Sequence, residues 1–400
     1  MISKILIVSL LLSQTFQIQN LKSSETDLNE VMEYIQSQLL TGIEPREIKV
    51  FTGINWDYLL LPSVSKYLFE DLDIIDNFAP KGQVNRIGKQ YEKYYICIHD
   101  TGDHSYGAKQ WSDIVKNAKI GKSEYKASFQ YVVGNDGYYH NIPDDEVAFH
   151  AGDGHFEDSL FGLIPSGVYI QQKKINENEK AKIEIDYKGY YTINGERTTI
   201  KAPTNVTNND SILTTKDIND LGIYYTIKEV DKYKYEYFLG RTWYNPIFQK
   251  IGNYGGNFNS IGIECCINYG TDVYYSWQKV AKLVAKLMQD NSLTIDAVVQ
   301  HHYFSGKNCP QTTRTANLWD YFKGLVLVEK QMLAYKNQGY TFEFKSNNLN
   351  YINEKGRVIK TVDSPTFITY SITVKDKSGK SLTKEFSSLL LPNIKYYNKN

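Results

Sequence analysis

An apolar run with a carboxylate in its middle constrains this chain more than any other feature. In SIGIECCI, residues 260–267, Glu264 interrupts an otherwise apolar stretch. The length and composition of the run predict a strand buried in a sheet. A lone buried charge is strongly unfavourable, so Glu264 needs a cationic neighbour or a raised pKa. A second buried strand is expected at YYICIH, residues 94–99, which ends on His99 and runs into DTG. Between the two, GAKQWSDIVKNAK reads as a helix, and SFQYVVGNDGYYHNI as a hairpin turning at Asn135, Asp136 and Gly137. Strand, helix, hairpin and strand together predict an α/β core. In such cores the chemistry sits at strand ends.

The remaining segments surround that core. Residues 24–84 are expected to form a mostly helical N-terminal extension, on the strength of the apolar spacing in LNEVMEYIQSQLL. Residues 85–335 carry the core, interrupted at about 156–255 by a polar stretch that reads as an insertion with a hairpin at Asn194-Gly195. SWQKVAKLVAKLMQDN places Trp277, Val280, Ala281, Val284, Leu287 and Met288 on one helical face, with Ser276 as the expected cap. A second helix is expected within residues 315–338. From 336 to 400 the alternation becomes strand-like, with a turn at Ser378-Gly379, and predicts a small β-sandwich-like unit.

The first 23 residues combine Lys4, an apolar run from Ile5 to Leu12 and polar residues after it. This is the pattern of a signal peptide, because the run falls short of the roughly 18 apolar residues that a membrane helix needs. Export, and a secreted or wall-associated location, is the expectation, with no transmembrane segment. Asn205 and Asn209 begin acceptor-type sequons, meaningful where the host glycosylates exported proteins. Lys plus Arg equals Asp plus Glu at 45 each, which removes any global electrostatic basis for a nucleic-acid partner.

HHYFSGKNCP, residues 301–310, concentrates two of the seven histidines and one of the four cysteines. Imidazole and thiolate are preferred zinc ligands, and a catalytic zinc site keeps three protein ligands and one open position. Lys307 lies two residues before Cys309, so in an extended loop the two side chains point the same way. The ligand candidates come from distant parts of the chain, and no compact zinc-finger spacing supports them. A loop cysteine of an exported protein is also a candidate disulfide partner. Cys97, Cys265 and Cys266 lie in apolar strands, where cysteine behaves as a small hydrophobe.

YYICIHDTG with NRIG upstream, then AFHAGDG, SIGIE and VVQHHYFSGKNCP, in this order, resemble the zinc-dependent N-acetylmuramoyl-L-alanine amidases of the phage-lysozyme and peptidoglycan-recognition type. The resemblance covers about residues 85–155 and 256–325. It implies a central mixed sheet flanked by helices, a Zn2+ cofactor, and peptidoglycan, both glycan strand and stem peptide, as the substrate of a monomeric enzyme. Carried over residue by residue, it implies zinc ligation by His99, His301 and Cys309, with His302 outside the ligand set. Glu264 matches the catalytic carboxylate and Lys307 the catalytic or oxyanion-stabilising lysine. His150, at the active-site rim, and Tyr131, in SFQYVV, are the implied substrate contacts. Gln130 stands where relatives often have histidine, and Phe149 and Phe304 replace tryptophans. A non-catalytic peptidoglycan-binding receptor is the alternative on the same fold, although such receptors typically lose the cysteine ligand that this chain keeps.

Overall fold

The computed structural model describes residues 27–51, 55–152, 163–173, 181–202, 206–208, 211–213, 225–239, 255–305 and 307–393. The expected signal peptide, the asparagines of both sequons and His155 lie outside these residues. No helix among the described residues is long and apolar enough to cross a membrane.

Helix α1 (Leu28–Ser37) opens the described chain, with the Asp27 carboxylate accepting from the backbone N–H groups of Asn29 and Glu30. The core is a six-stranded sheet built from β1 (Ile74–Asp76), β2 (Tyr95–Asp100), β3 (Tyr131–Gly134), β4 (Gly137–His140), β5 (Ser260–Cys265) and β6 (Val298–Gln300). Its order is β6-β2-β5-β3-β4-β1. β6, β2, β5 and β3 are mutually parallel, β3 and β4 form the predicted antiparallel hairpin, and β1 runs parallel to β4. The sheet is thus mixed, as the resemblance implied. The carboxyl ends of its parallel strands share one edge.

Alternation along the strands sorts residues between the two faces. Ile96, Ile98, Ile261, Ile263 and Cys265 pack with Trp277, Val280, Val284 and Leu287 of α3 (Val273–Asp290) and with Phe322, Leu325 and Val326 of α4 (Trp319–Asn337). Cys97, His99, Gly262 and Glu264 occupy the other face. Farther along that face Val132 packs on Ala108, Trp111 and Val115 of α2 (Ala108–Asn117). The apolar stripe predicted for α3 is buried as expected, but the cap is Asp272, not Ser276: its carboxylate accepts from Tyr275 N at 3.2 Å. Ser276 is instead inside the helix, its hydroxyl accepting from Asn135 of the β3–β4 turn at 2.7 Å.

The N-terminal extension departs from expectation. Among its described residues only α1 is an α-helix; strand Gly42–Ile43, hairpin Arg46–Phe51/Asn55–Leu60 and β1 follow. Pro45 and Pro62 bracket the hairpin and lack the N–H a continuing helix requires. α1 buries Leu28, Val31, Met32 and Ile35 together with Ile368, Tyr370, Ile372 and Leu390 of the C-terminal strands. Those strands, Thr341–Ser346, Thr366–Lys375 and Ser381–Leu390, pair antiparallel, and Gly42–Ile43 adds in parallel at one edge. The two chain ends therefore build one β layer between them.

The insertion has a core of its own. Two three-stranded sheets, formed by strands between Ile164 and Leu239, enclose Val168, Ile183, Tyr191, Ile193, Tyr237 and Leu239. Asn257 closes the gap it opens. Its side-chain oxygen accepts from the backbone N–H of both His150 and Ala151 at 2.7 Å, and its own N–H reaches Gly152 O at 2.9 Å. The chain thus leaves and re-enters the core at adjacent points.

Candidate metal centre

Parallel pairing is what gathers the candidate residues. Glu264 pairs in register with His99, and Gln300 with Ile98, so His301, one residue past β6, arrives level with His99. His301 opens the short helix His301–Ser305, and the loop after it brings Cys309 back to the same edge. The donor atoms of His99, His301 and Cys309 all lie within 4.8 Å of one another. His99 Nδ1 is 3.8 Å from Cys309 Sγ and 3.8 Å from Glu264 Oε1, and the His99 and His301 ring centroids are 4.5 Å apart. His302 lies beside this cluster, its backbone N–H donating to Cys309 O at 3.0 Å.

Burial sets the electrostatics. His99 and Cys309 are 2% exposed and His301 8%. Burial holds both imidazoles well below their ordinary pKa, with neighbouring imidazoles and Lys307 disfavouring a further charge, so both rings are neutral and carry a lone pair. His301 Nδ1 is buried without a hydrogen-bond partner. Burial pushes the Cys309 thiol up, and the Lys307 ammonium opposes it. Glu264 is raised to about 8 by burial, against the pull of Lys307, and its Oε2 is buried without a partner. Two imidazoles and one thiol, withdrawn from water and left with unused lone pairs, fit the donor chemistry that zinc takes.

A residue that sequence reasoning missed, Asp100, holds Cys309 in place. Asp100 donates its backbone N–H to Cys309 Sγ at 3.4 Å, and its carboxylate accepts from Thr312 N at 2.7 Å. The available signal was a second carboxylate at the end of an apolar strand, in CIHDTG.

A model of the family described as N-acetylmuramoyl-L-alanine amidase matches residues 90–197 and 190–312, together more than half of the 400-residue chain. The chain belongs to this amidase family. Among curated relatives, it is 39% identical over 72 residues to N-acetylmuramoyl-L-alanine amidase XlyA of Bacillus subtilis (strain 168), covering 18% of this chain and 24% of that protein. It is 41% identical over 56 residues to N-acetylmuramoyl-L-alanine amidase CwlH of the same organism, covering 14% of this chain and 22% of the relative. The chain thus matches only about a quarter of the length of these two amidases. A solved structure of the XlyA catalytic domain aligns over 64% of this chain and 99% of its own length, at 20% identity and a TM-score of 0.36.

Within the amidase scaffold, the structure brings His99, His301, Cys309, Glu264 and Lys307 to one edge, where the Lys307 charge bears on the other four. Of the two expected substrate contacts, Tyr131 lies elsewhere and His150 lies beside His99. Tyr131 is a correction: its register with Ile263 turns it to the opposite, helix-covered face. There it is 4% exposed and stacks on His140 at 4.2 Å. His150, expected at the rim, packs against His99, with Nδ1 2.9 Å from His99 Nε2. Gln130 is buried, accepting from Gly262 N at 2.7 Å and donating to Glu146 O at 2.8 Å. It ties β3 to β5. All four cysteines are buried and free, so none serves as a disulfide partner among the described residues.

Proposed function

We propose that this chain is an exported zinc hydrolase that cleaves the amide between the lactyl group of N-acetylmuramic acid and L-alanine of the stem peptide in peptidoglycan. The observation that carries the reading is the convergence of His99, His301 and Cys309 within 4.8 Å, with Glu264 3.8 Å from His99. Export rests on the apolar run Ile5 to Leu12 behind Lys4.

His99, His301 and Cys309 would hold the metal, which when bound supplies Lewis acidity toward the scissile carbonyl and the attacking water. Glu264 takes the water's proton at its free Oε2 and later hands it to the departing amine. Lys307 draws Glu264 toward the ionised form a base needs. Its ammonium also stabilises the oxyanion that develops on the substrate. The Asp100 N–H favours Cys309 as a thiolate, since a donor to an ionised acceptor is a strong hydrogen bond.

The test is purified protein incubated with intact peptidoglycan, with and without a chelator, followed by mass analysis of the released fragments. Stem peptides with a free L-alanine amino terminus, lost on chelation and restored by zinc, are expected. Release of peptides still joined to sugar, or full activity without metal, overturns the reading.

A further inference from the structure

His99 carries two ring nitrogens, and both have close neighbours. Nδ1 faces the Cys309 and Glu264 side, while Nε2 lies 2.9 Å from His150 Nδ1 and 3.2 Å from Cys97 Sγ. A neutral imidazole has one N–H and one lone pair, so the partner of one nitrogen decides the role of the other. We propose that His150 is a positioning residue: its Nδ1 accepts from His99 Nε2–H and so locks His99 in the tautomer whose Nδ1 lone pair faces His301 and Cys309. The proposal rests on the reading of His99 as a metal ligand.

Two features hold His150 where it can do this. The Asn257 side-chain oxygen accepts from the backbone N–H of His150 and of Ala151, pinning the loop that carries the ring. The ring lies directly on β5 at Gly262, where an added Cβ would stand 2.7 Å from both Cγ and Nδ1 of His150. The glycine of SIGIE is therefore a requirement of space, because its φ is not in the left-handed region. Cys97 is the competing partner, but a thiol sulfur is a weaker acceptor than an imidazole nitrogen. Metal-bound histidines ordinarily use a carboxylate, a backbone carbonyl or water for this purpose, and their loss typically weakens metal binding by about 10–100-fold. Here a second imidazole takes that place.

The test uses the full chain stripped of metal. Zinc affinity is measured by competition with a chromophoric chelator, and the tautomer of His99 is read from imidazole 15N shifts in the metal-free protein. His150→Phe keeps an aromatic ring but no acceptor, and should bind zinc about 10–100-fold more weakly. His150→Asn places Oδ1 at the position of Nδ1 and should restore affinity to within about threefold of wild type, since the acceptor is retained. Gly262→Ala, which pushes the ring aside, should weaken binding in the same direction. Should the Phe variant fail to fold, the Asn and Gly262→Ala arms and the wild-type 15N spectrum decide the question. Wild-type affinity in a folded His150→Phe protein, or an Nδ1–H tautomer in the wild type, overturns the proposal. So does a second zinc equivalent that Cys97→Ser removes, because Cys97, His99 and His150 would then be a metal site in their own right. A wild-type chain that binds no zinc at all sinks the amidase reading, and this proposal with it.

Discussion

Two buried carboxylates of this molecule stand in contrasting surroundings. Glu329, on α4, is 2% exposed, receives the Lys282 ammonium at 2.9 Å and accepts from Leu68 N at 2.8 Å. Glu264, on β5, has an oxygen with no partner and lies 3.8 Å from the ring of His99, which is held neutral. Burial raises the pKa of both, opposed at Glu329 by a lysine in hydrogen-bond contact and at Glu264 by the charge of Lys307. The first carboxylate is satisfied by the fold and ties α4 to α3 and to the segment before β1. The second costs the fold free energy and leaves an acceptor free at the edge where metal donors gather. A buried carboxylate whose oxygens are both engaged is structural material; one with a free oxygen beside a metal-competent cluster is available for chemistry.

The contrast can be broken by conservative substitutions. The largest effect is expected from Glu264→Gln, which removes the proton acceptor while keeping size. Turnover of peptidoglycan should fall by about 10²–10⁴-fold, the usual contribution of a general acid–base group. Zinc content, measured on the same protein, should be unchanged. Glu329→Gln should act on stability, not turnover. Leaving Lys282 buried without its partner should cost about 3–5 kcal/mol in urea unfolding, with activity per folded molecule retained. If Glu329→Gln lowers specific activity as far as Glu264→Gln does, the division between the two carboxylates fails.

The smallest effect sharpens the same comparison through pH. In the metal-free protein burial raises Glu264 to about 8 from its ordinary 4.5, so between these values the native state holds a proton that the unfolded chain has released. Its contribution is fully present below about pH 4.5 and is lost as pH rises through 8. Unfolding free energy of the metal-free wild type should therefore decline across that window. In metal-free Glu264→Gln the decline should be shallower, and an identical slope in the two proteins would show that Glu264 is not held protonated by burial.

Much of the site was legible because its signals are local. The spacing of His301 and Cys309, the carboxylate inside SIGIE and the histidine closing YYICIH depend only on residues near one another in the chain. So do the helical stripe of α3 and the turn at Asn135-Asp136, since period and turn chemistry are short-range properties. The errors arose where a residue's role depends on a distant partner. Tyr131 sits in a motif stretch, yet strand register decides which face it takes, and a shift of one residue reverses that choice. For His150, nothing near it in the sequence reveals that Gly262 leaves room for its ring beside His99. Asn257 and Asp100 act on residues 107 and 209 positions away. The N-terminal extension looked helical because α1 is, while the strands after it find their partners only in the folded chain.

By itself, then, the sequence determined the α/β pattern and the buried strands, because these follow from periodicity and burial cost, while the expected donors came from the resemblance of its motifs to the amidase family. Only the tertiary structure decided that parallel pairing would bring residues 99, 264 and 301 level at one sheet edge. It also decided that the first helix would cover strands more than 300 residues later, and that His150 would lie behind His99. The physical reason is that side-chain chemistry is a property of each residue, whereas register and packing are properties of contacts between segments that meet only on folding.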